Sequence, residues 1–334
     1  RSQKNPYGPF FFCTMESIMS AQKNQEPLEN ISDRGYPLSS WSVEQIDQRV
    51  SELASAPDGA EVLSIMRHNG TEPSGTSAYA TIDGTRGTYM CRLCSLPLFS
   101  TRLQYHAETG WPSFTGPYSS DHVVLAHRAG PGRMAAAYGL LPGQPVCCAR
   151  CSSHLGHLFM DRGGSRHLAR YCIDGTALSR IPTGNGRLHV AYLAGGCFWH
   201  MQWVLSKLDG VVGTAVGYAN GDIAHPSYTM VCDHKKHSYG FSETVQVVYT
   251  RPLTYSALLR AFLAAIDPFD GGGQGANRGV PQYAPSMLYV SDVQRITADR
   301  ALASIPNRPH QTVAVAVRPI RNFYRAENYH QMYI

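Results

Sequence analysis

Two C-x-x-C pairs, Cys91-Arg92-Leu93-Cys94 and Cys148-Ala149-Arg150-Cys151, constrain this chain more than any other feature. Each pair can chelate one edge of a tetrahedron, so together they supply the four thiolates of a structural zinc site. The 53 residues between Cys94 and Cys148 exceed a compact zinc ribbon, so the metal would clip a whole subdomain. A redox C-x-x-C or ordinary buried cysteines are the rival readings, and two pairs in one domain weigh against the redox one. The nine cysteines are clustered pairs plus singles. That pattern fits metal ligands and reactive thiols in a reducing compartment better than a disulfide-stapled fold. A cytoplasmic location is expected on this ground, with an organelle as the alternative. Cys147, beside Cys148, is a spare thiol.

A chain of 334 residues has room for about two domains, and 43% hydrophobic residues suffice for real cores. The net charge of +5 is modest and forms no basic stripe, so no nucleic-acid partner is expected. No apolar run approaches the roughly 20 residues of a membrane helix. The segment Arg1–Pro6 has no apolar core, so as it stands it does not read as a secretory signal.

Residues 14–35 are polar and aperiodic and read as a linker. A helix is expected from about Ser42, with Val43, Ile46, Val50 and Leu53 on one face. Residues 76–180 are rich in Gly, Pro and short apolar runs, the pattern of short strands and long loops. After a break at Ile181–Gly186 the pattern becomes alternating. A strand over Leu188–Ala194 is followed by a helix with Met201, Val204, Leu205 and Leu208 on one face, stopped by Gly210. Strands are expected at Val211–Val216, Thr244–Tyr249, Met287–Val290 and Thr312–Val317. Helices are expected around Leu258–Ile266 and Ser291–Ala303. Such alternation argues for an α/β domain.

Two cysteines sit in settings that suit a nucleophile. Cys172 follows Arg170 by two residues, which in a strand places both on one face and brings positive charge to the thiol. His154 and His157 offer imidazoles that can protonate a leaving oxygen near neutral pH. Gly110-Trp111-Pro112-Ser113-Phe114 offers an aromatic wall. Cys197 follows a strand and opens a helix, whose amino terminus favours a thiolate. Phe198 and Trp199 form an apolar cage there. Glu243, if buried, would stay protonated and act as the acid.

Residues 76–180, and more weakly 36–75, resemble a B-type methionine sulfoxide reductase. The matching motifs are the two C-x-x-C pairs, the Gly-Trp-Pro-Ser-Phe run, His154-Leu155-Gly156-His157-Leu158-Phe159 and Arg170-Tyr171-Cys172-Ile173. The resemblance implies a mainly antiparallel β domain with a structural zinc at Cys91, Cys94, Cys148 and Cys151. Cys172 would attack the sulfoxide sulfur, His154, His157 and Arg170 would assist, and Trp111, Phe159 and Asp174 would meet the substrate. Residues 189–334 resemble an A-type methionine sulfoxide reductase through Gly196-Cys197-Phe198-Trp199, Val216-Gly217-Tyr218, Pro226-Ser227-Tyr228, Gly240-Phe241-Ser242-Glu243 and Gln282-Tyr283. That resemblance implies an α/β two-layer sandwich in which Cys197 attacks and Glu243 protonates the oxygen. Phe198, Trp199, Tyr218 and Tyr283 would hold the substrate.

Four departures stand out. Asp174 replaces the family's usual Asn and would tend to raise the Cys172 pKa. Thr109 occupies a position where many B-type members carry a resolving cysteine. Asn277 replaces an Asp, and about three extra residues precede Glu243. The ends of the chain, Ala326–Ile334 and then Arg1–Cys13, resemble one continuous A-type tail when read in that order. The expectation is a circularly permuted arrangement: 1–13 as the tail of the A module, 14–35 as linker, 36–180 as the B module and 187–334 as the A module. Cys13, Cys232 and Cys147 are the candidate resolving cysteines. The function implied is reduction of methionine sulfoxide, S epimer at Cys197 and R epimer at Cys172, on oxidised proteins or peptides. A thioredoxin-like dithiol would recycle both sites, and no organic cofactor or membrane is involved. The rivals are a thiol peroxidase or redox sensor, and a zinc-containing interaction module whose sites have decayed.

Overall fold

The computed structural model describes residues 29–126, 143–163, 166–184 and 186–334, apart from the side chains of 162–167 and 234–236. Residues 1–13, and the tail they were expected to form, lie outside the described residues. The chain separates into two compact units, one from Ser42 to Pro182 and one from Thr183 to Ile334 joined by the segment that ends at Trp41. Among the described residues no helix is long and apolar enough to cross a membrane.

The first unit opens with helix α1 (Val43–Ala54), and Ser42 closes a capping box with Gln45 that satisfies the first free N–H groups. Ile46 and Leu53 form its buried face, while Val43 stays exposed. Helix α2 (Gly59–His68) packs against it. Two antiparallel sheets follow. The smaller has the order β2 (Pro97–Ser100), β1 (Gly87–Cys91), β9 (Leu178–Pro182). The larger has the order β3 (Gln104–Tyr105), β4 (Ser113–Phe114), β8 (Arg166–Ile173), β7 (His154–Gly163), β6 (Gln144–Cys148), β5 (Val123–Leu125). Their shared core is aromatic: Phe114 stacks on Phe99 at 4.5 Å and meets Tyr89 edge-on at 5.4 Å. Cys91 ends β1 and Cys148 ends β6, so the four-cysteine cluster joins the two sheets.

The second unit is one six-stranded sheet, with the order β14 (Ala316–Pro319), β13 (Ser286–Tyr289), β10 (His189–Ala194), β12 (Ser242–Tyr249), β11 (Val211–Ala219), β15 (Phe323–Arg325). Only β13 and β14 run parallel among these pairings. Helices α3 (Phe198–Ser206), α5 (Tyr255–Ala264) and α6 (Asp292–Ala303) share one core with the sheet, built from Leu193, Met201, Leu205, Val245, Val247, Leu258, Phe262 and Ala298. A single turn, α4 (Tyr228–Val231), follows β11. The strand expected at Thr312–Val317 starts later, at Ala316, because Ala314 gives its N–H to Pro268 rather than to a neighbouring strand.

Residues 29–35 do not behave as the expected linker, nor do residues 36–41 belong with the first unit. They are held to the second one by hydrogen bonds that a sequence pattern does not announce. Asn30 donates its N–H to Arg321 and accepts from the Phe323 N–H, Ser39 donates to the Phe323 carbonyl, and Tyr192 donates its hydroxyl to the Gly35 carbonyl at 2.7 Å. Tyr192 and Gly35 meet on the face of β10 opposite Ala191 and Leu193. Gly35 has φ +81, and a Cβ there would lie 2.9 Å from Val290 Cγ1 and 3.0 Å from Val190 Cγ1. Gly35→Ala should therefore destabilise the second unit by about 2 kcal/mol, from a left-handed alanine and an overpacked contact. Hydrogen exchange of the β10 amides reads this, and unchanged exchange would show that the segment does not support the sheet.

Candidate active sites

The four cysteines come together as the sequence spacing implies. Their sulfurs all lie within 4.8 Å of one another, with Cys91 to Cys151 at 3.6 Å and Cys94 to Cys148 at 3.5 Å, and all four residues are buried. A disulfide needs about 2.05 Å, whereas the edge of a tetrahedron with metal–sulfur bonds of about 2.3 Å is about 3.8 Å. The donor set therefore fits a four-coordinate metal. Burial pushes Cys91 and Cys148 up, while hydrogen bonds from the neighbouring thiols carry Cys151 down despite its own burial. Such sharing of negative charge is what a cation would relieve. Buried Arg150 donates to the Cys94 carbonyl at 3.0 Å and fixes one C-x-x-C turn on the other.

Cys172 lies in β8 between β4 and β7, directly opposite Ser113 on one side and His157 on the other. Residues opposite each other in antiparallel strands project to the same face, so Ser113, Cys172 and His157 form one row. Two residues along, Arg170 faces Phe159, and its guanidinium lies 4.6 Å from the ring centroid. Asp161 grips that guanidinium with two bonds, at 2.6 and 3.1 Å. Burial raises the Cys172 pKa above its usual value. Thr109, Arg170 and Ser113 act against that rise, and Asp174 adds a weaker upward push. Thr109 puts its Oγ1 3.9 Å from the Cys172 sulfur, so the position where a resolving cysteine is common holds a hydroxyl here. His154 is buried, both its ring nitrogens lack a hydrogen-bond partner among the described residues, and its ring stands 5.1 Å from that of His157. Burial, with the neighbouring His157, lowers its pKa to about 4, so it is neutral at physiological pH. The half-buried His157, level with Cys172, is the better placed acid.

Asp174 does not line an open substrate surface. It is 3% exposed, and its Oδ1 accepts from Thr71 Oγ1 at 2.7 Å and from the Glu72 N–H at 3.0 Å. Glu72, also buried, accepts from the N–H groups of Gly175 and Thr176, and its carbonyl takes the indole N–H of Trp111 at 3.1 Å. Two buried carboxylates thus tie the 71–72 segment, the end of β8 and Trp111 together. Glu72 was not singled out in the sequence, where it is one polar residue in an irregular stretch.

In the second unit, Gly196 turns the chain at φ +86, and a Cβ there would come within 2.9 Å of Gln274. The turn sets Cys197 at the N-cap of α3. The N–H groups of Trp199 and His200 pull the Cys197 pKa down, but burial outweighs them and the Glu243 charge adds to the rise. The helix terminus alone therefore does not deliver the low thiol pKa expected from it. Glu243, in β12, is 2% exposed and accepts the Phe198 N–H at 3.1 Å. Burial raises its pKa to about 7, against the Phe198 N–H and Tyr283.

Tyr218 is in register with Glu243 on the adjacent strand. Its hydroxyl donates to Glu327 at 2.7 Å, and Glu327 also accepts the Tyr228 N–H at 2.8 Å. Phe198 is buried, with its ring 5.2 Å from His330. Trp199 donates its indole N–H to His330 at 3.1 Å and stacks on Tyr333 at 3.9 Å. Glu327, Tyr228 and His330 were not assigned roles from sequence, although Pro-Ser-Tyr and Asn-Tyr-His-Gln mark their places. Cys232 is half-buried beside Tyr228 and Gln282. Cys147 is fully buried in β6 and is not among the free thiols, and Cys13 lies outside the described residues.

Two partly buried thiols, Cys197 beside the Glu243 carboxyl and Cys172 level with the His157 imidazole, together with four clustered cysteines, define a pair of thiol oxidoreductase modules. A family model described as peptide methionine sulfoxide reductase matches residues 189–334, and one described as SelR domain matches 59–182. A Lachnoclostridium phytofermentans peptide methionine sulfoxide reductase MsrA is 34% identical over 144 residues, covering 43% of this chain and 84% of that protein. A Xylella fastidiosa peptide methionine sulfoxide reductase MsrB is 40% identical over 134 residues, covering 40% of this chain and 79% of that protein. The reduced form of Mxr1 from Saccharomyces cerevisiae aligns with TM-score 0.40 at 30% identity, over 44% of this chain and 83% of that one. The chain belongs to the peptide methionine sulfoxide reductases, with a B-type module followed by an A-type module. It reduces methionine sulfoxide to methionine.

The Asp174 carboxyl titrates near 3.8 when free of the fold and at about 6 within it, chiefly through burial. The folded state holds this proton more tightly. Its contribution to stability is complete below about pH 4 and is lost as pH rises through about 6, a loss of about 3 kcal/mol. Asp174→Asn keeps the acceptor oxygen and removes the charge. The stability difference between parent and variant should swing in the variant's favour across that window in denaturant titrations. A constant difference from pH 4 to 7 would contradict the assignment.

Proposed function

We propose that Cys197 reduces the S epimer and Cys172 the R epimer of methionine sulfoxide in oxidised proteins or peptides. The observation that carries this reading is the presence of two nucleophiles with different acids: a buried carboxyl at Cys197 and an imidazole level with Cys172. One enzyme type serves each epimer because the two need differently shaped sites. At the first site the Cys197 thiolate attacks the sulfoxide sulfur while Glu243 gives its proton to the oxygen. The sulfur–sulfur bond made by the attack and the substrate's sulfur–oxygen bond then both break as the hydroxyl passes to the cysteine sulfur, methionine leaves, and the cysteine is left as a sulfenic acid. Tyr283 holds the oxygen, joined by Tyr218 once it releases Glu327, and Phe198 and Trp199 bound the apolar side. At the second site His157 supplies the proton, His154 offers an unpartnered nitrogen to the oxygen, and Arg170, gripped by Asp161, supports the charge on Cys172. Trp111 and Phe159 bound the substrate there, and Asp174 holds Trp111's surroundings in place.

Each sulfenic acid needs two thiols to return to the thiol, with loss of water and formation of a disulfide. With Thr109 beside Cys172, an external dithiol of the thioredoxin type resolves that site directly. At Cys197, Cys13 and Cys232 are the chain's own candidates. The four-cysteine cluster holds zinc as a structural ion and supplies no chemistry to either site.

Turnover of the pure epimers with a dithiol tests the assignment. Cys197→Ser should abolish S turnover alone and Cys172→Ser R turnover alone; loss of both by either change would refute two independent sites. S turnover by the parent should fall as pH rises through about 7, where Glu243 loses its proton. Glu243→Gln should lower it by about 10²- to 10⁴-fold and remove that limb. Elemental analysis should find one zinc per chain, lost in Cys148→Ser together with heat stability of the first unit. A metal-free parent of full stability would contradict the structural ion.

A further inference from the structure

Behind the A-type site, on the opposite face of the same sheet end, lies a cleft of about 180 Å³. Arg318, Arg321, Ser242, Ser286, Asn220 and Gly240 line it. Ser242 immediately precedes Glu243 in β12, so the two side chains leave the strand on opposite faces. Ser286 is paired with Ala194, three residues before Cys197. The cleft thus shares its strands with the sulfoxide site but not its open face.

Its chemistry is one-sided. Arg318 is exposed on edge strand β14 and has no ion-pair partner among the described residues. Arg321 spends one terminal nitrogen on the Asn220 carbonyl, at 2.8 Å, and on Asp222, at 3.2 Å. Its remaining donors are uncommitted among the described residues. Asp222 is the ion-pair partner of Arg321; its side chain is 68% exposed, and it balances only one of the two guanidinium groups.

The frame that presents these groups is fixed. Asn220 donates to the Pro319 carbonyl and accepts the Arg321 N–H, both at 2.8 Å, so one side chain clamps the turn that carries both arginines. On the other wall His237, Ser238, Tyr239 and Gly240 have successive φ values of +47, +56, +48 and +77. Such a run costs energy at each non-glycine residue. It is held by the fully buried Ser238, which donates to Gln282 at 3.0 Å.

We propose that this cleft binds a small oxyanion, a phosphoryl or carboxylate group, between Arg318 and Arg321, with Ser242 and Ser286 donating from its floor. Guanidinium groups bind both classes in bidentate fashion, and the two hydroxyls supply the further donors such an anion needs. The occupant is a second ligand of the A module, independent of the sulfoxide.

Calorimetric titration of the full chain at constant ionic strength tests this, with inorganic phosphate in one arm and acetate in the other. Saturable binding of at least one anion is expected, weakened about tenfold or more in Arg318→Glu, as for loss of a charged hydrogen-bond partner. Ser286→Ala should weaken it less, and retained turnover of both epimers shows that each variant is folded. Phosphate binding tighter than acetate assigns a phosphoryl-bearing ligand, and the reverse a carboxylate. The proposal is overturned if neither anion saturates in the millimolar range, or if Arg318→Glu binds as tightly as the parent.

Discussion

The hydrogen bond from the Phe198 N–H to Glu243 is the contact on which the A-type module turns. It joins the first turn of α3 to the middle of the sheet, and it places a carboxyl where water does not reach. Removal from water favours the protonated acid; the helix N–H and Tyr283 favour the carboxylate. The balance falls near neutrality, where a group can both hold a proton and give it up. Cys197 feels the same balance from the other side, since a charge on Glu243 raises its pKa. A proton on the carboxyl and a charge on the sulfur are therefore mutually supportive, and that is the distribution the proposed mechanism would consume.

The B-type module reaches a comparable arrangement with different materials. Among the described residues no helix terminus serves Cys172. A flat row of strand residues presents Ser113, the thiol and His157 side by side, and the cation comes from Arg170, itself held by Asp161. Precision here depends on strand register, because a slip of one residue would send all three side chains to the other face. The four-cysteine cluster joins the ends of β1 and β6, and Glu72 with Asp174 pins the loop beside the row. Positioning is thus distributed over the whole unit.

Much of this was legible in the sequence because chemistry-bearing residues cluster in short motifs. The two C-x-x-C pairs, Cys172, Cys197, the two histidines and Glu243 are each flagged by near neighbours. Helical periodicity located α1, α3 and α5 for the same local reason. What escaped is held by long-range contacts. Glu72 meets Asp174 about a hundred positions away, and Glu327 serves Tyr218 and Tyr228 from a similar distance. Asp174 looked like a charge aimed at substrate, because a sequence does not show that Thr71 and the Glu72 N–H already occupy it. The effect of the helix terminus on Cys197 was overestimated because burial, a tertiary property, opposes it. Residues 29–35 read as a linker, and 36–41 as part of the B module, since their tie to the sheet runs through backbone groups, the Asn30 and Ser39 side chains and one tyrosine hydroxyl, which leave no hydrophobic period.

That short segment has a topological consequence. The chain contributes residues 29–41 to the A-type unit, departs to build the whole B-type unit, and returns at Thr183 to complete the first. In chain order the B-type module is a cassette inserted into the A-type one. Both ends of the cassette are anchored to the same host. A single nick at either junction would leave the two modules joined through the other, and a fragment beginning at Thr183 would carry every A-type motif yet lack part of its own wall.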